Sequence, residues 1–253
     1  RVGYLKKLAD RQGIDRLDAV EDVVPLLFEH TVYKSYPSSL LEKSRFGMIN
    51  SWLEKLTTVP LKEIDVSNCD SIDSWIAVMD RESALCIHHS SGTSGTVSLF
   101  PKSKRELSCF GKLYPLRFQK FGDPRPAEPQ PKAHVIAPSF RSGSSAHFRI
   151  NEQYFERIAH GDESFMHTAF SGAMSADILY LAGRLRAAKA RGELDRIEVP
   201  PSLLQRLDAF ETDQAARATQ MQEFLERITT DLAGQRIFMA CAPTYLWPRA
   251  EKA

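Results

Sequence analysis

Cysteine is scarce in this sequence, and the few cysteines stand far apart. Cys69, Cys86, Cys109 and Cys241 form no C-x-x-C pair, and no histidine accompanies them at the spacing of a zinc ligand. This pattern argues against a structural metal site and against a disulfide framework. It favours a reducing compartment, and the cytoplasm is the expected location.

Long apolar runs and a one-sided charge are also missing. No apolar stretch approaches the roughly 20 residues that a helix needs to cross a bilayer, so we expect no membrane span. The 33 Lys and Arg residues oppose 32 Asp and Glu residues, which gives no basic surface of the kind that binds nucleic acid. With 43% apolar content over 253 residues, the chain has enough material for one large domain or two small ones.

Helical periodicity and short apolar runs alternate along the chain, which predicts an α/β protein. Residues 1–80 place apolar side chains at three- and four-residue intervals and predict a helical N-terminal region. Residues 81–150 predict a mixed sheet with flanking helices. Residues 151–253 predict a helical layer that stops at Gly234, followed by the start of another strand.

The strands of the middle region are predicted from three short apolar runs. These are ALCI at 84–87, VSLF at 97–100 and HVIAPSF at 134–140, with a helical pattern at 103–121 between the last two. The next strand-like run is QRIFMACAP, at the end of the helical layer.

The stretch between the first two predicted strands has unusually small side chains. It consists of Ser90, Ser91, Gly92, Thr93, Ser94, Gly95 and Thr96. Its glycines can adopt positive φ, its backbone N–H groups can converge on an anion, and its hydroxyls can add donors. We therefore predict a β-loop-β unit over residues 84–100 whose exposed loop binds phosphate. Composition alone leaves open a flexible Ser/Gly surface hairpin.

Common motifs for phosphate binding or nucleophilic catalysis do not fit this stretch. The Walker pattern G-x-x-x-x-G-K-[ST] cannot be placed on it, and the dinucleotide fingerprint G-x-G-x-x-G is absent. The tetrapeptide GTSG is one residue short of the nucleophile elbow G-x-S-x-G.

The order of the residues, SSGTSGT, resembles the [ST]-[ST]-G-[ST]-[ST]-G phosphate loop of the adenylate-forming superfamily, the acyl-CoA synthetases and their relatives. Two further segments, VVPLLFEHTVYKSYP and ERIAHGDESFMHTAF, resemble in their overall residue pattern, but in no defined motif, the acyl-protein synthetases of bacterial luminescence and the phenylacetate:CoA ligases. The resemblance spans most of residues 20–245. It implies part of the large N-terminal domain of such an enzyme, with the loop on the β- and γ-phosphates of ATP.

The resemblance also implies a reaction. A carboxylic acid is activated by ATP, with Mg²⁺, as an acyl adenylate, and the acyl group passes to CoA, an amine or a carrier protein. The family's adenine and ribose segments and its catalytic lysine would lie beyond Ala253, so we expect the small C-terminal domain to be absent from this chain and to be its partner. The alternative is a non-catalytic binding or assembly module, or one part of a split or degenerate enzyme.

One departure from the family concerns the charge beside the loop. Many members continue the loop with Pro-Lys, whereas this chain has Val97 and Ser98. The nearest basic residues along the sequence are Lys102, Lys104 and Arg105. Either the contact that this lysine makes with the γ-phosphate is missing in this chain, or another basic residue makes it.

A second cluster, IAPSFRSGSSAHFRI, follows a predicted strand. Because the resemblance implies an acyl pocket near the end of such a strand, Arg141 and His147 are candidates to face the carboxylate. The alternative is a helix N-terminus capped by Ser144 or Ser145, with the charges in solvent.

The remaining charged and histidine-containing patterns favour structural roles. The segment GRLRAAKARGELDRIE, residues 183–198, mixes both signs and predicts a solvated helix face instead of an RNA contact. His88 and His89 would point to opposite faces of a strand, so they are unsuited to share one metal ion. His160 and His167 flank two acidic residues at a spacing that matches no zinc motif.

Overall fold

The computed structural model describes residues 2–90, 92, 95–113, 131–194, 197, 199, 201–212 and 214–239. The chain divides into two compact units. The first comprises residues 1–104 and 179–198, and the second comprises residues 105–178 and 199–253. The described helices include none that is both long and apolar enough to cross a membrane.

Short helices precede the sheet of the first unit, as the sequence predicts. They are α1 (Gly3–Gln12), α2 (Ser39–Glu42), α3 (Phe46–Leu53) and α4 (Ile72–Glu82), with 3-10 turns at Val20–Leu26 and Val32–Lys34. The helical pattern around Pro25 gives only a 3-10 turn, because proline has no N–H to donate within a helix.

The core of the first unit includes a buried polar contact between α3 and α4. The rings of Phe46 and Trp75 stack with their centroids 5.6 Å apart. Trp75 Nε1 donates a 2.9 Å hydrogen bond to Asn50 Oδ1, and Asn50 Nδ2 donates to the Leu61 carbonyl at 3.3 Å. Because both Trp75 and Asn50 are buried, these bonds satisfy polar atoms that water does not reach.

The sheet of the first unit is a hairpin. Strand β1 (Leu85–His89) pairs antiparallel with β2 (Leu99–Ser103), from Leu85 opposite Ser103 to His89 opposite Leu99. All five residues of β1 are buried. The predicted β-loop-β unit is therefore present, with the strand boundaries shifted by one to three residues.

The second unit contains a parallel sheet in the order β4-β3-β5. Its strands are β3 (His134–Gly143), β4 (Met166–Met174) and β5 (Ile237–Met239), and β3 pairs parallel with both neighbours. The associated helices are α5 (Lys104–Leu113), α6 (Ala146–Arg157), α8 (Pro201–Thr212) and α9 (Gln214–Asp231), while α7 (Ala176–Arg191) runs from this unit into the first.

Apolar side chains cover both faces of β3. Val135 and Ala137 cluster with Tyr154 and Phe155 of α6, whereas Ile136 lies on the other face against Phe224 of α9 and its neighbours. This follows from the two-residue alternation of a strand, and burial on both faces is typical of a parallel sheet.

The α/β class is confirmed, but the arrangement of strands differs from the single mixed sheet that we expected. The described strands form one antiparallel hairpin and one parallel sheet, each in its own unit. Strand β4 lies where the sequence predicted helix, because polar residues and Gly172 interrupt the apolar run. The predicted helix at 103–121 is observed as far as Leu113, and its remainder lies outside the described residues, as does the end of QRIFMACAP.

The indole of Trp75 provides a test of the core. Trp75→Phe should lower the free energy of unfolding by about 1–3 kcal/mol, because it leaves Asn50 Oδ1 buried without its donor. Trp52→Phe is the matched control, since Trp52 Nε1 donates to Ser35 Oγ in a solvent-accessible position, and it should cost about 0.5 kcal/mol or less. Urea unfolding followed by circular dichroism measures both, and equal costs would contradict the assignment.

Candidate functional site

The ends of β1 and β2 close the base of the small-residue loop. The Ser90 N–H donates to the Ser98 carbonyl at 3.1 Å, and the Ser98 N–H donates back to Ser90 Oγ at 2.9 Å. Within the loop, the Gly95 N–H donates to the Gly92 carbonyl at 2.8 Å. Ser91, Thr93 and Ser94 lie outside the described residues.

Glycine is required at both described glycine positions of the loop. Gly92 and Gly95 have φ angles of +64° and +88°, in the left-handed region that favours glycine. A Cβ at Gly92 would also lie 2.7 Å from Val97 Cγ1, and one at Gly95 would lie 2.9 Å from Ala187 Cβ. The turn therefore depends on both backbone freedom and the absence of side chains.

The loop packs directly on α7. A Cβ at Gly183 would lie 2.2 Å from the Gly92 carbonyl oxygen, so no larger residue fits there without movement of the backbone. Ala187 is one helical turn further along the same face and faces Gly95. This packing buries Gly92, whereas we expected an exposed loop. A stripe of small residues on α7 thus allows the close approach.

Tyr36 holds the other end of the loop. Its hydroxyl donates a 2.6 Å hydrogen bond to the Val97 carbonyl, and its side chain is buried. Burial raises the pKa of Tyr36, so the hydroxyl keeps its proton and remains a donor. The strand that follows the loop is therefore fixed to the segment before α2.

A cavity of about 210 Å³ opens beside the loop. All of its lining residues belong to the first unit. They come from the loop, from α2 with its N-terminal neighbour, and from α7 with the segment after it: Ser38, Glu42, Gly95, Thr96, Arg184, Ala188, Arg191, Glu193 and Ile197.

Two arginines and two glutamates give this cavity its charge. Arg184 Nη2 lies 3.2 Å from Glu42 Oε1, and Arg191 Nε lies 2.7 Å from Glu193 Oε2. The Arg184 side chain is only 18% exposed, compared with 59% for Arg191. Because burial reduces screening by water and salt, Arg184 is the stronger source of positive potential.

The guanidinium of Arg184 lies over the ring of Tyr180. The ring centroid is 5.5 Å from the guanidinium carbon. Burial raises the pKa of Tyr180 to about 12, so the phenol stays neutral and places no negative charge beside the arginine. Stacking on an aromatic face also orients the planar guanidinium.

Sequence reasoning did not identify Arg184 and Arg191. The mixed charges of residues 183–198 predicted a solvated helix face, and this prediction is wrong for the mostly buried Arg184. The signal that could have revealed the site is the spacing of small and basic residues. Gly183 and Ala187 share one face of the helix, and Arg184 and Arg191, seven residues apart, share the adjoining face.

The basic residues nearest the loop in sequence do not line the cavity. Lys102 is paired with Cys86 in the ladder, about 10 Å along the strand from the loop end at Leu99. Lys104 Nζ donates to the Ser83 carbonyl at the far end of the hairpin. Arg105 belongs to the second unit.

Arg141 and His147, the candidates for an acyl pocket, lie in the second unit. Arg141 forms ion pairs with Glu152 and, at 3.0 Å, with Glu163, and its guanidinium carbon lies 4.7 Å from the centre of the Phe155 ring. These contacts link the end of β3 to α6 and to the turn before β4.

His147 is exposed in the first turn of α6. Its Nε2 lies 3.3 Å from Ser139 Oγ and 3.4 Å from Asn151 Nδ2. Ser145 occupies the N-cap position, as the alternative interpretation predicted, although its side chain makes no capping hydrogen bond. The role of His147 at a carboxylate stays a prediction.

Four other histidines lie in strands. His88 and His89 are both buried, and His89 Nδ1 lies 2.8 Å from the Ser90 carbonyl oxygen. His167 Nε2 lies 2.9 Å from His134 Nδ1 across the β3-β4 pair. Over the described part of the chain, no three His, Cys, Asp or Glu side chains are grouped to hold a metal ion.

A larger cavity of about 710 Å³ lies beside α4 and the segment before it. Its charged lining includes Glu63, Asp65, Glu82 and Arg81, and Cys69 also contributes. Burial raises the pKa of the Cys69 thiol, which disfavours the thiolate that a nucleophile needs. The acidic excess does not suit a phosphate, so the cavity at the loop is the better candidate for the predicted chemistry.

Comparisons with protein-family models, with curated proteins and with solved structures found no match to this chain.

The contact between the loop and α7 is tested by two substitutions of glycine by alanine within helices. Gly47 in α3 has open space at its Cβ position, so Gly47→Ala should stabilise the protein by up to about 1 kcal/mol. Gly183→Ala should instead destabilise it by about 1–3 kcal/mol, because the new methyl group meets the Gly92 carbonyl. Thermal and urea unfolding measure both, and stabilisation by Gly183→Ala would contradict the packing.

Proposed function

We propose that this chain supplies the triphosphate-binding loop of an enzyme that activates a carboxylic acid with ATP. The reaction is attack of a carboxylate oxygen on the α-phosphorus, with departure of pyrophosphate and formation of an acyl adenylate. The acyl group then passes to a thiol, an amine or a carrier protein. This proposal rests on the loop sequence and on the geometry around it.

One observation carries the proposal. The loop that joins the two strands of the hairpin contains two glycines of positive φ. A cavity bordered by Gly95 and Thr96 also contains two guanidinium groups. A side-chain-poor turn lets an anion approach the backbone closely, and arginine adds positive charge. Both features suit the terminal phosphates of ATP better than they suit a plain surface hairpin.

The residues at the cavity also fit the Mg²⁺ that such a reaction uses. Mg²⁺ is usually held by one or two carboxylates together with substrate phosphates, and Glu42 and Glu193 are the carboxylates here. When bound, the ion would neutralise charge on the pyrophosphate leaving group. The loop itself would orient the phosphates.

Exchange of labelled pyrophosphate into ATP tests the proposal. We expect the protein, together with the C-terminal portion that the resemblance implies, to catalyse exchange with at least one acid from a panel of fatty, aryl and amino acids. ATP binding without exchange for any acid would favour a non-catalytic binding module. Absence of both binding and exchange would refute a nucleotide function for the loop.

Gly95→Val should separate the two half-reactions. The β-branched side chain is strained at a φ of +88° and meets Ala187. Misplacing the loop removes several charge-assisted hydrogen bonds, so adenylation should fall by more than about 100-fold. Acyl transfer from a pre-formed adenylate should change little, because pyrophosphate has already left.

Gly13→Val is the control for Gly95→Val. Gly13 has a φ of +65° and open space around its Cβ position, at the end of α1. Gly13→Val introduces similar backbone strain far from the loop in sequence and should leave both half-reactions near the wild-type rate. Equal losses in both half-reactions for Gly95→Val would contradict a role in phosphate binding.

A further inference from the structure

We infer that Arg184 and Arg191 of α7 bind the diphosphate group of the nucleotide, in place of the lysine that is missing after the loop. This inference rests on the proposed function and adds to it a specific site. The ligand is a diphosphate, either as the terminal phosphates of ATP or as free pyrophosphate. Neither arginine was suggested by the sequence, since each lies about 90 residues beyond the loop.

Position on the helix is the first argument. Arg184 and Arg191 are seven residues apart, which separates their Cα atoms by about 10.5 Å along the helix axis. Ala188 lies between them and also lines the cavity, so the space between the two long side chains is not blocked by a large residue. Both guanidinium groups can therefore approach one ligand beside Gly95 and Thr96.

The chemistry of the arginines is the second argument. A guanidinium presents five N–H donors in a planar fork that matches two phosphate oxygens. The contact of Arg184 with Glu42 uses Nη2, and that of Arg191 with Glu193 uses Nε. A diphosphate carries more negative charge than either carboxylate, so it competes well for the same donors.

The size of the cavity is the third argument. Its volume of about 210 Å³ is below the range of about 300–1,000 Å³ that is typical of pockets for drug-sized ligands. A diphosphate is small enough for such a space, whereas a whole nucleotide or a long acyl chain is not. The remainder of a nucleotide would extend from the cavity.

Glu42 acts as the competitor that holds Arg184 before the anion arrives. The pair is partly buried, with the two side chains 18% and 33% exposed. Binding of a diphosphate would transfer Arg184 from the carboxylate to phosphate oxygens. Removal of the carboxylate charge should therefore strengthen anion binding.

Titration calorimetry with pyrophosphate at low ionic strength and without Mg²⁺ tests the site. Arg184→Gln should weaken binding by about 10- to 100-fold, the loss expected for one charge-assisted contact. Arg191→Gln should weaken it less, because that side chain is more exposed, and Glu42→Gln should strengthen it. The affinities of the variants for ATP should change in the same order. Any affinity for AMP, which has no diphosphate, should be the same in all of them.

Arg186→Gln is the matched control. Arg186 lies on the same helix, is exposed, and donates from Nε to the Ala182 carbonyl. It removes the same charge from the protein without touching the cavity and should bind pyrophosphate like the wild type. If Arg184→Gln fails to fold, Arg184→Lys and the exposed Arg191→Gln carry the test instead.

The outcomes separate this inference from the proposed function. Wild-type affinity for pyrophosphate in both Arg184→Gln and Arg191→Gln, or no binding of pyrophosphate to the wild type, would overturn the inference. If those variants also retained exchange of pyrophosphate into ATP, the proposed function would stand without the inferred arginine site. Arginine-dependent binding of pyrophosphate in a protein that exchanges with no acid would support the site and refute the ligase.

Discussion

The close approach of the Gly92 carbonyl to Gly183 is the contact on which the candidate site depends. A Cβ at Gly183 would lie 2.2 Å from that oxygen, so the loop backbone rests on α7 without an intervening side chain. The same face carries Ala187 against Gly95, and the adjoining face carries the arginines of the cavity. One pair of glycines therefore brings together the small-residue loop and two arginines from a distant part of the chain.

Charge balance then determines what the cavity can bind. The two arginines and two glutamates among its described lining residues cancel in formal charge, and each arginine is paired with a carboxylate. An exposed pair such as that of Arg191 contributes little to stability, whereas the pair of Arg184 is partly desolvated and costs more to break without a replacement. A ligand that offers its own anionic oxygens supplies the replacement, and a cation such as Mg²⁺ can compensate the released carboxylates.

Local patterns in the sequence predicted the local parts of the structure. The hairpin around residues 90–96 was predictable because its small residues and flanking apolar runs are adjacent, and α4 and α9 follow from their periodicity. The partners of the loop were not predictable, because Gly183 and Arg184 approach it through tertiary packing and mixed charges usually indicate a solvated face. Strand β4 was missed for a related reason. It is recognisable as a strand mainly by its pairing with β3.

A crystal structure of the protein with pyrophosphate and Mg²⁺ tests the central claim most directly. The account predicts a diphosphate bordered by Gly95 and Thr96, with phosphate oxygens bonded to the Arg184 guanidinium and the contact of Arg184 with Glu42 broken. It would be contradicted by a diphosphate bound elsewhere while Arg184 and Glu42 remain paired.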